Sequence, residues 1–278
     1  MVNVFDEPKV DCHCHVLDPA RFAYAPDVAY RPAGQEQGGI DAYLQVMQAY
    51  GIRRSLIVGP NSGYGTDNRC LLAALARAPQ QLRGIAFVGL DTGTDELQRL
   101  KAAGVIGLAL NATVLGVEHV LRAGPLLGRA RELGLLLSLQ VEHDQLVGLR
   151  PMVEDSGVRV LVDHGGRPDA ARGVAQPGFQ ALLAMAANGR TAVKLSGWQK
   201  FSREPAPWAD TRPYFDALVG AFTFDACLWA TDWPFLRAPE RLDIGPLLRL
   251  AERLVPDASD RRRLFWDTPN RWLGFVNN

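Results

Sequence analysis

Asp11-Cys12-His13-Cys14-His15 lies inside a short apolar run, Val10 to Val16, and reading that run as a β-strand sets both the fold and the chemistry. Successive side chains of a strand alternate between faces, so Asp11, His13 and His15 point one way while Cys12 and Cys14 point the other. Imidazole suits both metal ligation and proton transfer near neutral pH. The chain has five histidines in 278 residues, and two of them are here. A Cys-His-Cys-His order suggests a zinc knuckle, but alternation turns the sulfurs away from the imidazoles.

Working outward, the same rhythm repeats. Short apolar runs at Val10–Val16, Ser55–Gly59, Gly84–Leu90, Gly104–Asn111, Leu135–Glu142, Val158–His164, Thr191–Gly197 and Ala226–Asp232 read as strands. Between them, Ile40, Tyr43, Leu44, Met47 and Tyr50 keep a helical stripe, and segments near 68–78, 94–103, 124–133, 144–155, 177–188, 211–222 and 244–254 do likewise. Strand and helix alternating eight times predict a closed (β/α)8 TIM barrel of the metal-dependent-hydrolase-like kind. Residues 17–38 are irregular and rich in Pro and Tyr, and 258–278 supply a closing helix and tail. No linker or composition break interrupts 1–278, so a single domain is expected.

Composition narrows the partners. Thirty basic residues balance thirty acidic ones, which gives no long-range attraction for nucleic acid or for an anionic membrane. A small molecule is the expected partner, with the chain a monomer or homodimer. The run Arg261-Arg262-Arg263 follows Asp257 and Asp260 and reads as a solvated helix face. Cys12, Cys14, Cys70 and Cys227 have no disulfide-framework spacing, and neither a leader nor a long apolar span is visible. A reduced, cytoplasmic protein is the expectation; the acceptor-like Asn111-Ala112-Thr113 would then carry no glycan.

Active sites of such barrels form where the strands end, so the polar residues ending them matter most. His13 and His15 end the first strand, Asp163 and His164 the sixth, and Asp232 the eighth. If Val160 and Val162 face inward, His164 shares their side and Asp163 does not; Asp232 shares the side of Leu228 and Ala230, which brings three histidines and one carboxylate to one barrel mouth. Each alone has an ordinary explanation, a helix cap or a satisfied carbonyl, but together they read as a functional cluster. His119 and His143 read as surface residues, although His143 directly follows the fifth strand. Gly59 to Gly65 lacks dinucleotide or phosphate-loop spacing, and Ser62 and Ser196 lack an elbow motif, which argues against a serine hydrolase.

With these residues in hand, the chain resembles the amidohydrolase superfamily, specifically the family-2 branch of lactone hydrolases. The matching stretches are Asp11 to His15, Tyr64-Gly65-Thr66-Asp67-Asn68, Asp163-His164-Gly165-Gly166-Arg167-Pro168, Val193-Lys194-Leu195-Ser196-Gly197, Trp229-Ala230-Thr231-Asp232-Trp233-Pro234 and the closing Asn270 to Phe275. The resemblance implies that His13, His15, His164 and Asp232 are catalytic, with Arg167, Ser62 and Tyr30 on an anionic substrate. Lys200 stands where the branch has an arginine, and Ala109 where it has another on strand four. Lys200 would share the substrate carboxylate with Arg167, and Tyr64 would line the site beside Tyr30.

The implied substrate is a small carboxylate-bearing lactone, 2-pyrone-4,6-dicarboxylate-like or related. A sugar-acid lactonase and a metal-dependent decarboxylase of the same superfamily are the alternatives. Val105 to Leu110 lacks the bridging acid or lysine of binuclear members, and strand five offers Glu142 or His143 where a mononuclear site has a histidine. A metal-free reaction is the expectation; one divalent ion, zinc, would sit on His13, His15 and Asp232 if bound.

Overall fold

The computed structural model describes residues 3–28 and 30–275. Eight parallel strands occur in chain order within one sheet: β1 (Lys9–Cys14), β2 (Ile52–Val58), β3 (Leu82–Ala86), β4 (Val105–Asn111), β5 (Leu136–Gln140), β6 (Val160–Val162), β7 (Thr191–Leu195) and β8 (Cys227–Trp229). Each is followed by a principal helix: α1 (Ile40–Ala49), α2 (Arg69–Arg77), α3 (Thr94–Ala102), α4 (Gly124–Glu132), α5 (Gln145–Asp155), α6 (Pro177–Met185), α7 (Arg212–Phe222) and α8 (Ile244–Leu254). This is the (β/α)8 barrel that the alternation predicts.

The helices form where an apolar stripe meets a start signal. In α2, Cys70, Leu71, Ala74 and Leu75 are buried, and in α7 Tyr214, Phe215, Leu218 and Phe222 are. Proline opens α4, α6 and α7 within the first two positions, where its missing N–H costs no helical bond. Asn111 caps a short helix, Ala112–Leu115, through its Oδ1. The expected closing helix is two pieces, Ala258–Arg262 and Thr268–Leu273, around a π-turn over Arg263–Asp267.

The chain divides into two compact units. The first comprises residues 1–88, 102–105 and 229–278, and in it β1 pairs with β2 and β2 with β3. A parallel bridge joins Cys14 to Trp233, with Asp232 N donating to His13 O (2.8 Å) and His15 N to Trp233 O (2.7 Å). The segment leaving β8 therefore runs beside the end of β1. The second unit, 89–101 and 106–228, holds the β4–β5, β5–β6 and β6–β7 ladders. No described helix is long and apolar enough to cross a membrane.

Candidate active site

In the first unit the site is built on Asp11. This carboxylate is wholly buried at the middle of β1 and accepts from Thr231 N (2.9 Å), Thr231 Oγ1, Tyr43 OH (2.7 Å) and His13 N (3.2 Å). Burial raises its pKa, while the Thr231, Tyr43 and His13 donors pull the other way. Tyr43 also meets Ser55 Oγ at 2.6 Å; its phenol is pushed well above the usual value by burial and by Asp11. The register of β1 against β2 shifts between Asp11 and Cys14, so strict alternation does not carry through this stretch, and Asp11, bonded to Tyr43 and Thr231, serves as a brace for the residues on either side.

Those residues are His13, His15 and Asp232. His13 Nε2 and His15 Nε2 stand 3.3 Å apart, and Asp232 Oδ1 lies 3.8 Å from the first and 3.7 Å from the second. His13 and Asp232 are buried, and His15 is 12% exposed. Asp232 adopts a left-handed backbone (φ 62°), which turns its side chain out of the extended course of β8 toward β1. His15 Nδ1 is 2.8 Å from the Val58 carbonyl, an acceptor, so Nδ1 carries a hydrogen and a neutral His15 presents its Nε2 lone pair. His13 Nε2–H then donates across the 3.3 Å gap when both rings are neutral.

The same three atoms fit a divalent cation. Two nitrogens each about 2.1 Å from a tetrahedral zinc would lie about 3.4 Å apart, close to the spacing seen, and a lone pair and a carboxylate face the shared space. The cysteines take no part: Cys14 Sγ bonds Ser55 Oγ and Leu56 O, and Cys12 Sγ bonds Val10 O.

In the second unit, β6 ends at Val162 and a tight turn, Asp163–Gly166, follows. His164, Gly165, Gly166 and Arg167 take φ of 53°, 61°, 75° and 44° in succession. Strand alternation therefore does not carry through to His164; the turn aims it. His164 is buried with Nδ1 3.0 Å from Ser196 Oγ. Asp163 pairs with Lys194 Nζ (2.8 Å), and both meet Ser138 Oγ, at 2.9 and 3.2 Å. All three side chains are buried; the sequence marked Asp163 only as a polar strand end on the outer side, and gave no role to Lys194 or Ser138. The available signal was a lysine within the apolar strand Thr191-Ala192-Val193-Lys194-Leu195.

Arg167 forms an ion pair with Glu142 (3.1 Å), which engages the carboxylate that strand five offered to a metal. His143 is exposed, and His119 lies on a short helix 3.3 Å from Arg122. Lys200 ends a short turn after β7 and is half-buried. Ser62 is half-buried in the loop after β2. Tyr30 donates its hydroxyl to Glu36 and stacks under Arg237, 4.5 Å from guanidinium to ring. Tyr64 is buried against Tyr24, its hydroxyl accepting from Asp18 N (2.9 Å).

Comparison with known proteins adds context to this geometry. The family model described as amidohydrolase matches residues 10–275. A 4-sulfomuconolactone hydrolase of Rhizobium radiobacter is 32% identical, over 96% of this chain and 90% of that protein. A 2-pyrone-4,6-dicarboxylate hydrolase of Comamonas testosteroni is 28% identical, over 94% and 88%. A Pseudomonas putida structure, solved as a candidate 2-pyrone-4,6-dicarboxylic acid hydrolase, superimposes with a TM-score of 0.86 at 30% identity, covering 98% of this chain and 99% of that one.

Proposed function

The chain belongs to the amidohydrolase family, and we propose that it is a hydrolase that opens the ring of a small anionic lactone with a water activated by Asp232. The observation that carries this reading is the carboxylate of Asp232 set against two imidazole nitrogens at the joined ends of β1 and β8. The relatives named as hydrolases of 4-sulfomuconolactone and 2-pyrone-4,6-dicarboxylate support the cyclic ester as the bond broken.

Lactone hydrolysis requires a base for water, donors for the tetrahedral oxyanion and a proton for the departing ring oxygen. Asp232 takes the water proton as the hydroxide oxygen bonds to the carbonyl carbon. The ring C–O bond then breaks, and Asp232 returns that proton to the leaving oxygen. His164 acts as an N–H donor to the carbonyl oxygen, and His13 joins it by exchanging its resting acceptor, His15 Nε2, for that oxygen when the substrate enters. Support for including His164 is its place at the end of β6, in the strand order that carries His13 and Asp232 on β1 and β8.

Arg167 and Lys200 receive the substrate's acid group, and Ser62 and Tyr30 contact the substrate. Holding the ester in register in this way can be worth several kcal/mol of barrier. His13, His15 and Asp232 would hold a divalent cation; bound there, it would polarise the carbonyl and acidify water.

The test is ring opening of mono- and dicarboxylic lactones, and of a sulfonated one, by wild type and Asp232→Asn. Loss of the base predicts a fall in kcat of about 10²- to 10⁴-fold with an unchanged circular dichroism spectrum. Near wild-type turnover in that variant removes Asp232 from the mechanism.

A further inference from the structure

Ser196 is buried near the end of β7, and among the described residues its hydroxyl has one hydrogen-bond partner, His164 Nδ1 at 3.0 Å. A buried hydroxyl hydrogen with a single acceptor in reach goes to that acceptor, because leaving it unmade costs about 1–3 kcal/mol. Nδ1 therefore accepts. In a neutral imidazole whose Nδ1 accepts, the hydrogen resides on Nε2.

The surroundings give the ring little room to choose otherwise. Gly197, at φ +68°, approaches so closely that a Cβ there would stand 2.6 Å from His164 Nδ1 and 2.7 Å from Cγ. Lys194, on β7 two residues before Ser196, holds Asp163, the neighbour of His164. Asp163 and His164, adjacent in the turn after β6, are thus held by Lys194 and Ser196, two residues apart along the chain.

We infer that Ser196 is a positioning residue that holds His164 as the neutral Nε2–H tautomer, so that His164 meets the lactone carbonyl as a hydrogen-bond donor and not as a ligand to a cation. A ring that ligates through Nε2 carries its hydrogen on Nδ1, which would turn the Ser196 hydroxyl away from its one acceptor. A cation is then left to His13, His15 and Asp232. The identity of the carbonyl rests on the lactone reading; the tautomer does not.

Histidine-selective ¹⁵N labelling with long-range ¹H–¹⁵N correlation reads the tautomer in the full-length protein without substrate, the His164 pattern being the one missing from His164→Gln. Wild type should show the Nε2–H pattern, unchanged by one equivalent of zinc. Ser196→Ala should gain an Nδ1–H population, and Ser196→Thr should restore the wild-type pattern. An Nδ1–H pattern in wild type, a His164 Nε2 resonance that moves with zinc, or a Ser196→Ala spectrum identical to wild type would overturn the inference. The wild-type spectrum decides even if a variant fails to fold. Failure of the lactone reading shows separately, as wild-type protein that opens no lactone.

Discussion

Thr231 gives both its backbone N–H (2.9 Å) and its hydroxyl to the carboxylate of Asp11. Asp11 lies two residues before His13, and Thr231 one residue before Asp232, so one buried anion sets the spacing of the proposed base and its imidazoles. The Thr231 hydroxyl also accepts from Trp233 N at 3.0 Å, beyond the base. Thr231→Val keeps the shape but strands an acceptor lobe and a backbone donor. The expected loss is about 1–3 kcal/mol of stability. Turnover should fall further than stability explains, with kcat reduced more than KM, because Asp232 loses its brace; urea unfolding beside steady-state kinetics separates the two effects.

Lys194 and Asp163 form a different kind of buried pair, far less soluble in the core singly than together. Breaking such a pair by removing one partner typically costs about 3–5 kcal/mol, whereas replacing both with apolar groups is often neutral. Lys194→Met should therefore unfold at markedly lower urea concentration, and Lys194→Met/Asp163→Leu should recover much of the loss. The recovered double variant should still be impaired in turnover, since Asp163 no longer anchors the turn that aims His164. Additive destabilisation in the double variant would show that the two charges do not depend on one another.

The barrel was legible because each strand and helix carries its own period; α8, for example, spans 244–254 both in the pattern and in the structure. Strand ends were harder. β6 was expected to run to His164 but stops at Val162, because a chain of left-handed residues, two of them non-glycine, has no strong signature in composition. The polar residues that finish strands stood out, yet the braces behind them did not. Alternation put Asp11 on the face of His13 and His15, but the register of β1 shifts after Asp11, and its partners Thr231 and Tyr43 lie far off in sequence. Lys194 and Ser138 look like filler within apolar strands until a partner from another strand is known.

Lys9, at the start of β1, gives a pH signature of the fold itself. It is fully buried, with Nζ donating to Phe5 O and Glu7 O, and burial pushes its pKa down from 10.5 to about 8 despite the nearby Glu7 carboxylate. Between about 8 and 10.5 the unfolded chain binds the proton that the folded one has released, so this group makes stability rise with pH across that window. The gain is at most about 3 kcal/mol, reached near the upper limit. Lys9→Met lacks it. The wild-type minus Lys9→Met difference in unfolding free energy should move in favour of wild type from pH 7 to pH 10; a flat difference would mean that Lys9 keeps an ordinary pKa.

Arg167 and Glu142 set a competition that substrate must enter. The pair is 3.1 Å apart and partly exposed, at 21% and 28%, and the Arg167 backbone is pinned by its N–H on the His164 carbonyl (3.1 Å) and its carbonyl on the His143 N–H (2.9 Å). An exposed ion pair is worth little in water, so an incoming carboxylate can displace Glu142 at small cost. Arg167→Gln removes a charge-assisted bond and should raise KM for an anionic lactone about 10- to 100-fold. Arg167→Lys should recover only part of this, since an ammonium lacks the bidentate fork. Glu142→Gln works in the opposite sense: without its competitor, Arg167 should bind the same lactone with a lower KM, by a few-fold at low ionic strength and less as salt screens the charge. An uncharged lactone should show neither shift. If Glu142→Gln raised KM for the anionic substrate as Arg167→Gln does, the carboxylate would be acting as a support for the guanidinium, and Arg167 would have to be read as a structural residue of the turn after β6.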